Sequence, residues 1–205
     1  PAQMSPGRTE LAVAAAMGSI ALTLNKFASD CCLYMCPNFG FISFPAELTT
    51  GSSIMPHKKN PDVWEIIRGN CNRIMSCWTQ TAMLCSNMPH GYHRDFQLLK
   101  DILFPALSLL HSCLEMTIYM LGHITVNTHI MDTPLYDCLF TVEEVNRRVL
   151  SGTPFRDAYK AVGQEVSSGT FKADRTLRHT HTGSIGNLAT DRIAAKMAAA
   201  ADPTR

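Results

Sequence analysis

The sequence is short of charge. Lys, Arg, Asp and Glu make up 17% of its 205 residues, against roughly a quarter in ordinary soluble domains. Neither sign is in excess: 18 basic and 17 acidic residues leave a net charge of +1. A phosphate backbone needs a basic surplus on one face, so nucleic acid is not an expected partner. The eight cysteines contain no CxxC pair, so the paired spacing of a zinc knuckle is missing, and disulfide scaffolds are usually shorter and denser in cysteine. They read as small buried apolar residues in a reducing cytoplasm. His179 and His181 form an HxH but lack a set of neighbouring ligands, and they read as loop histidines with no metal expected. Pro1 to Glu10 carries no apolar stretch of the kind a secretory leader needs. The greasiest segment, Ile102 to Leu121, is broken by Pro105, His111 and Glu115. A membrane span needs about 18 or more apolar residues in a row, so a soluble chain is expected. Strand signals are few, and there is no internal repeat.

What the sequence has is helical spacing. Apolar residues make up 46% of the chain, enough for a real core. From Arg8 to Met35 they recur in steps of three and four, at Leu11, Ala15, Gly18 and Leu22 and again at Ala14, Ala21, Leu24, Ala28 and Cys31. That pattern predicts one long helix buried on most sides. Pro37, Asn38 and Gly40 end it. A second helix is expected to open with Asn60 as cap and Pro61 in the first turn, with Asp62 and Glu65 at its positive end, and to run to about Asn87. A third runs from about Asp95 to Gly122, with Pro105 as a possible kink. Shorter elements follow, at about Val126–Met131, Val142–Leu150, Pro154–Val166 and Asn187–Ala200. The class is all-α: a long-helix bundle over residues 1–130, then a small helical domain over 131–205. Three long helices cannot bury all their apolar faces alone. The low charge and the 11 methionines point to surface covered by further helices, from other chains or from a longer version of this one.

The informative segment is the loop Gly51-Ser52-Ser53-Ile54-Met55-Pro56-His57-Lys58-Lys59-Asn60-Pro61-Asp62. It feeds the start of a helix, where free N–H groups and the helix dipole favour an anion. Lys58 and Lys59 add positive charge, and Ser52 and Ser53 add hydroxyls. Such a loop is suited to holding a carboxylate or phosphate beside a serine.

The string resembles the GSSxMPxKxNP signature loop of the fumarase/aspartase superfamily at every fixed position. His90-Gly91-Tyr92-His93-Arg94-Asp95-Phe96-Gln97-Leu98-Leu99-Lys100 is similar to the Y-x-R-D-x-Q-x-x-K segment of the argininosuccinate lyase branch. Gly152-Thr153-Pro154-Phe155-Arg156-Asp157-Ala158-Tyr159 resembles a carboxy-terminal segment of the same enzymes. Leu98 and Leu99 stand where an acidic pair is often found in that branch.

The resemblance implies a lyase that splits argininosuccinate into arginine and fumarate by elimination, in arginine biosynthesis in the cytoplasm, without metal or organic cofactor. Ser52 would be the base, Lys58 would face the aci-carboxylate, Asn60 would hydrogen-bond the substrate, and Glu65 would orient a catalytic histidine. Tyr92, Gln97 and Lys100, with Arg8, would bind the substrate. The resemblance also implies a homotetramer whose active sites each draw on three subunits. Family members run to about twice this length, so the chain is expected to be a carboxy-terminal piece with little activity alone. Two other readings stay open: another fumarate-releasing member such as adenylosuccinate lyase, or a non-catalytic crystallin-like structural protein.

Overall fold

The structure, a computed structural model, describes residues 4–177 and 179–202. It divides into two compact units, Pro1–Ile130 and Met131–Arg205.

The first unit is built on α1 (Arg8–Tyr34), α2 (Asp62–Cys85) and α3 (Leu99–Leu121). Its core follows a heptad seam. On α1 the inward residues are Ala14, Met17, Ala21, Leu24, Ala28 and Cys31; on α3 they are Leu99, Leu103, Ala106, Leu110, Cys113, Thr117 and Met120. Steps of three and four in strict alternation make a narrow stripe, the seam of a coiled-coil-like bundle. The alanines of α1 let α2 approach closely. Gly7 lies against Cys85, Gly18 against Met75, and the Phe27 ring packs edge-on against Trp64 at 5.5 Å. These pairs run in opposite senses along the two helices, so α1 and α2 are antiparallel. Asn25 ties them midway, its amide donating to the Arg68 carbonyl and to Asn72 Oδ1, both at 2.9 Å. Cys71 lies beside Cys113 and the Cys77 thiol reaches the Ile102 carbonyl at 3.9 Å, so α3 runs antiparallel to α2 in turn.

The broad burial expected for α1 is not found. Ala15 and Leu22 are exposed, and so are Val13, Ile20 and Leu33. With only two neighbours in the unit, each long helix buries one seam and leaves the rest of its apolar surface open. The segments Arg8–Tyr34 and Arg94–Leu121 are long and apolar enough to cross a membrane by length and composition, which interrupted runs in the sequence did not lead us to expect. Core helices of soluble bundles meet the same test, and both segments supply core residues here.

Other boundaries shift for local reasons. Asn60 does not cap α2; Pro61 holds that position and no side chain caps the helix. The third helical segment opens as a 3-10 turn over Arg94–Leu98, then runs as α3 straight through Pro105. The element expected at Val126–Met131 resolves into a two-residue strand and a 3-10 turn. β1 (Ile42–Ser43) and β2 (Thr125–Val126) pair antiparallel, tying the connection after α1 to the chain leaving α3.

The second unit pairs α4 (Thr141–Leu150) with α5 (Phe155–Ser167) over Val145, Ala158 and Val162. Glu144, 6% exposed, accepts from Arg147 and Arg148, and Arg148 reaches on to Glu165. Arg175 bonds the carbonyls of Met131 and Thr133 and the Asp137 carboxylate, and so holds the 3-10 stretch Pro134–Phe140. α6 (Thr190–Ala200) buries none of its residues.

Candidate functional site

The signature loop leaves the bundle at Thr50 and returns at Asn60, and its neck is closed by hydrogen bonds. Thr50 and Asn60 form an isolated antiparallel bridge, with the Asn60 N–H donating to the Thr50 carbonyl at 2.8 Å. The Asn60 amide donates to the Gly51 carbonyl at 3.2 Å. Asp62, the first residue of α2, reaches back so that Oδ2 accepts from the Thr50 N–H at 3.0 Å and from its hydroxyl. Thr50 was not singled out from sequence, and Asp62 only as a residue of the helix start. Asp62 looked like a first-turn dipole carboxylate, and only its spacing to Thr50 in three dimensions reveals the clasp.

Inside the loop, Ser52 Oγ accepts from the backbone N–H groups of Ile54 and Met55, each at 3.2 Å. A second turn follows, with the Lys58 N–H on the Met55 carbonyl at 3.1 Å. The N–H donors expected from the start of α2 therefore come from the loop's own turn. Lys58 and Lys59 are exposed, as is Glu65, one turn into α2. Two backbone N–H donors hold the serine oxygen in the turn. The loop brings a hydroxyl, two cations and an amide to one projecting turn.

The second group of residues lies elsewhere. Tyr92 precedes the 3-10 turn that holds Gln97, and the Gln97 amide donates to the Tyr92 hydroxyl. Tyr92 and Lys100 line a cavity of about 300 Å³ together with Glu10 and Phe96. The start of α1 can lie here because residue 7 is glycine. Its φ is +88°, and a Cβ would stand 2.5 Å from Cys85 Sγ and 3.1 Å from Phe96. Arg8, the first residue of α1, is exposed and is not among the residues lining the cavity; Glu10 is.

The structure does not bring the two groups together. The loop joins the amino-terminal end of α2, and the Tyr92–Lys100 segment follows its carboxy-terminal end. Twenty-four residues of α-helix separate them, about 36 Å at 1.5 Å per residue.

In the second unit, His179 Nε2 lies 2.8 Å from Glu143 Oε1; the His181 ring packs edge-on against the His179 ring at 5.7 Å, and the His181 carbonyl accepts from the Ser184 hydroxyl at 2.6 Å. No group of three or more metal-ligating side chains occurs among the described residues. The cysteines are all free. Burial, reinforced by Cys32 and Asp30, pushes the Cys31 thiol up to about 12, and burial with Cys113 pushes Cys71 to about 11. Neither is a nucleophile at neutral pH.

Comparison with known proteins agrees with these features. A family model described as lyase matches residues 3–76. The argininosuccinate lyases of Parabacteroides distasonis and Bacteroides fragilis are each 50% identical over 96% of this chain. The chain spans 44% of their length. A fumarate lyase:delta crystallin structure from Brucella melitensis matches in fold, with a TM-score of 0.65 at 20% identity over 79% of this chain and 35% of that one. With the signature loop and a match along nearly its whole length, this chain is similar to argininosuccinate lyases over the part of them that it spans, and its fold is that of a fumarate lyase.

Proposed function

We propose that the chain is a carboxy-terminal part of an enzyme that cleaves argininosuccinate to arginine and fumarate. Ser52 removes a proton from the carbon next to a substrate carboxylate. The electron pair moves onto that carboxylate, and the C–N bond then breaks with the electrons leaving on nitrogen. The negative charge on the carboxylate is the costly feature, and fixed donors and cations stabilise it best. Lys58 supplies the cation and Asn60 a hydrogen bond to the substrate. Glu65 orients a histidine contributed from outside these residues, and Tyr92, Gln97, Lys100 and Arg8 bind the remainder of the substrate.

The single observation that carries this reading is the Ser52 oxygen resting on two backbone N–H groups, in the loop that also carries Lys58. Serine is a poor base at neutral pH, and this is the environment that makes it a better one. The separation of about 36 Å along α2 supports a second part of the proposal. One chain gives its loop to one active site and its Tyr92–Lys100 segment to another, as in a homotetramer with composite sites. The uncovered faces of α1 and α3 suit such an assembly. A cytoplasmic role in arginine biosynthesis follows from the reaction.

Fumarate release, followed by its ultraviolet absorbance, tests the proposal in the full-length enzyme that carries this sequence. Ser52→Ala is expected to lower kcat by at least about 100-fold with an unchanged circular dichroism spectrum; undiminished turnover removes the serine from the mechanism.

A further inference from the structure

The cavity beside Tyr92 holds two opposite charges that do not neutralise each other. Glu10 and Lys100 both line it, yet among the described residues neither side chain makes a hydrogen bond or an ion pair. Glu10 is half-buried. Its place in the first turn of α1 lets the helix dipole stabilise its charge. The dipole does not account for a carboxylate set into the wall of a cavity that also presents an ammonium group. The same cavity is lined by the apolar side chains of Phe96, Leu103 and Phe104. A ligand that fills this space carries one positive and one negative group, with an aliphatic part against the rings.

We propose that Glu10 is a specificity-determining residue that receives the ammonium group of a zwitterionic amino acid, while Lys100 receives its carboxylate. The inference rests on the lyase reading above and deepens it: the amino acid is the arginine portion of the substrate, with its methylenes over Phe96 and Phe104. Tyr92, whose hydroxyl is held by the Gln97 amide, lines the same cavity as Lys100. Gly7 is the residue that makes the site possible. It lets α1 begin in contact with Phe96 and so sets Glu10 into the same cavity as Lys100.

The test uses the full-length enzyme in the synthesis direction, with arginine and fumarate as substrates and with desamino-arginine, which lacks the ammonium group, as a competitive inhibitor. Glu10→Gln is expected to raise the KM for arginine about tenfold or more, the effect of losing a charged hydrogen-bond partner. The KM for fumarate and the melting temperature stay unchanged, and desamino-arginine inhibits wild type and variant equally. Glu10→Asp recovers part of the arginine affinity. An unchanged KM for arginine overturns the inference, as does an equal loss for arginine and its desamino analogue. A wild-type enzyme that binds arginine through Glu10 in calorimetry, but forms no argininosuccinate, sinks the lyase reading and leaves the amino-acid pocket standing.

Discussion

The clasp at the neck of the signature loop can be tested without any substrate. Asp62 accepts from both the N–H and the hydroxyl of Thr50. A hydrogen bond to a charged group contributes about 1.5–3 kcal/mol. Thr50 is exposed, so the pair together is better set at about 1.5–2 kcal/mol. Asp62→Ala removes both bonds and leaves the neck held by the Asn60 contacts alone. Because 1.4 kcal/mol is a factor of ten in an equilibrium constant, the open population of the loop rises about 10- to 30-fold. Amide hydrogen exchange reads this in the 205-residue chain itself. The Asn60 N–H, now 2.8 Å from the Thr50 carbonyl, exchanges faster by that factor, while amides in the middle of α2 do not change. Trypsin cleavage after Lys58 and Lys59 accelerates in parallel when opening is fast relative to cutting. Asp62→Asn, which keeps an acceptor but loses the charge, falls between. If Asp62→Ala leaves Asn60 exchange within twofold of wild type, the clasp does not hold the loop.

Three further outcomes follow from the geometry. Gly7→Ala forces a left-handed φ on a residue with a Cβ and drives that atom into Cys85 Sγ, so urea unfolding is expected to show a loss of about 2–3 kcal/mol. In a thiol-reagent titration at neutral pH, the exposed Cys138 reacts in the folded chain, whereas Cys31 and Cys71, with thiols near 12 and 11, react only after denaturation. The Glu144 carboxyl, held below its ordinary value of 4.5 chiefly by the hydrogen bond from Arg147, takes up its proton more readily in the unfolded chain. Its stabilisation of the second unit is therefore complete above that value and is lost as pH falls through the lower folded-state pKa. Glu144→Gln should flatten the acid limb of a denaturation curve, and an unchanged limb argues against the ion network.

Much of the helical architecture was legible because a three-and-four spacing over twenty or more residues has no other solution. The number of neighbours each helix would have was not. Leu22 and Cys31 both fall on apolar stripes of α1, and only the presence of two partners rather than four decides that Cys31 is buried and Leu22 exposed. The strands Ile42–Ser43 and Thr125–Val126 are too short to show a period, and they form because antiparallel helices bring their ends together. The signature loop was legible as a chemical motif, whereas its closure was not. A carboxylate at the first position of α2 serves equally as a dipole residue or as a hook for Thr50, and its reach backward is a tertiary fact. Glu10 escaped notice for the same reason, since 90 residues separate it from Lys100 in sequence.

Having the signature loop and the Tyr92–Lys100 segment at opposite ends makes α2 a ruler. Inserting or deleting one residue within Asp62–Cys85 would shift one end by about 1.5 Å and turn it by about 100° relative to the other. The loop and the cavity would then face in mismatched directions even if each remained intact. The connections on either side can absorb a change in length, but α2 must keep both its residue count and its phase.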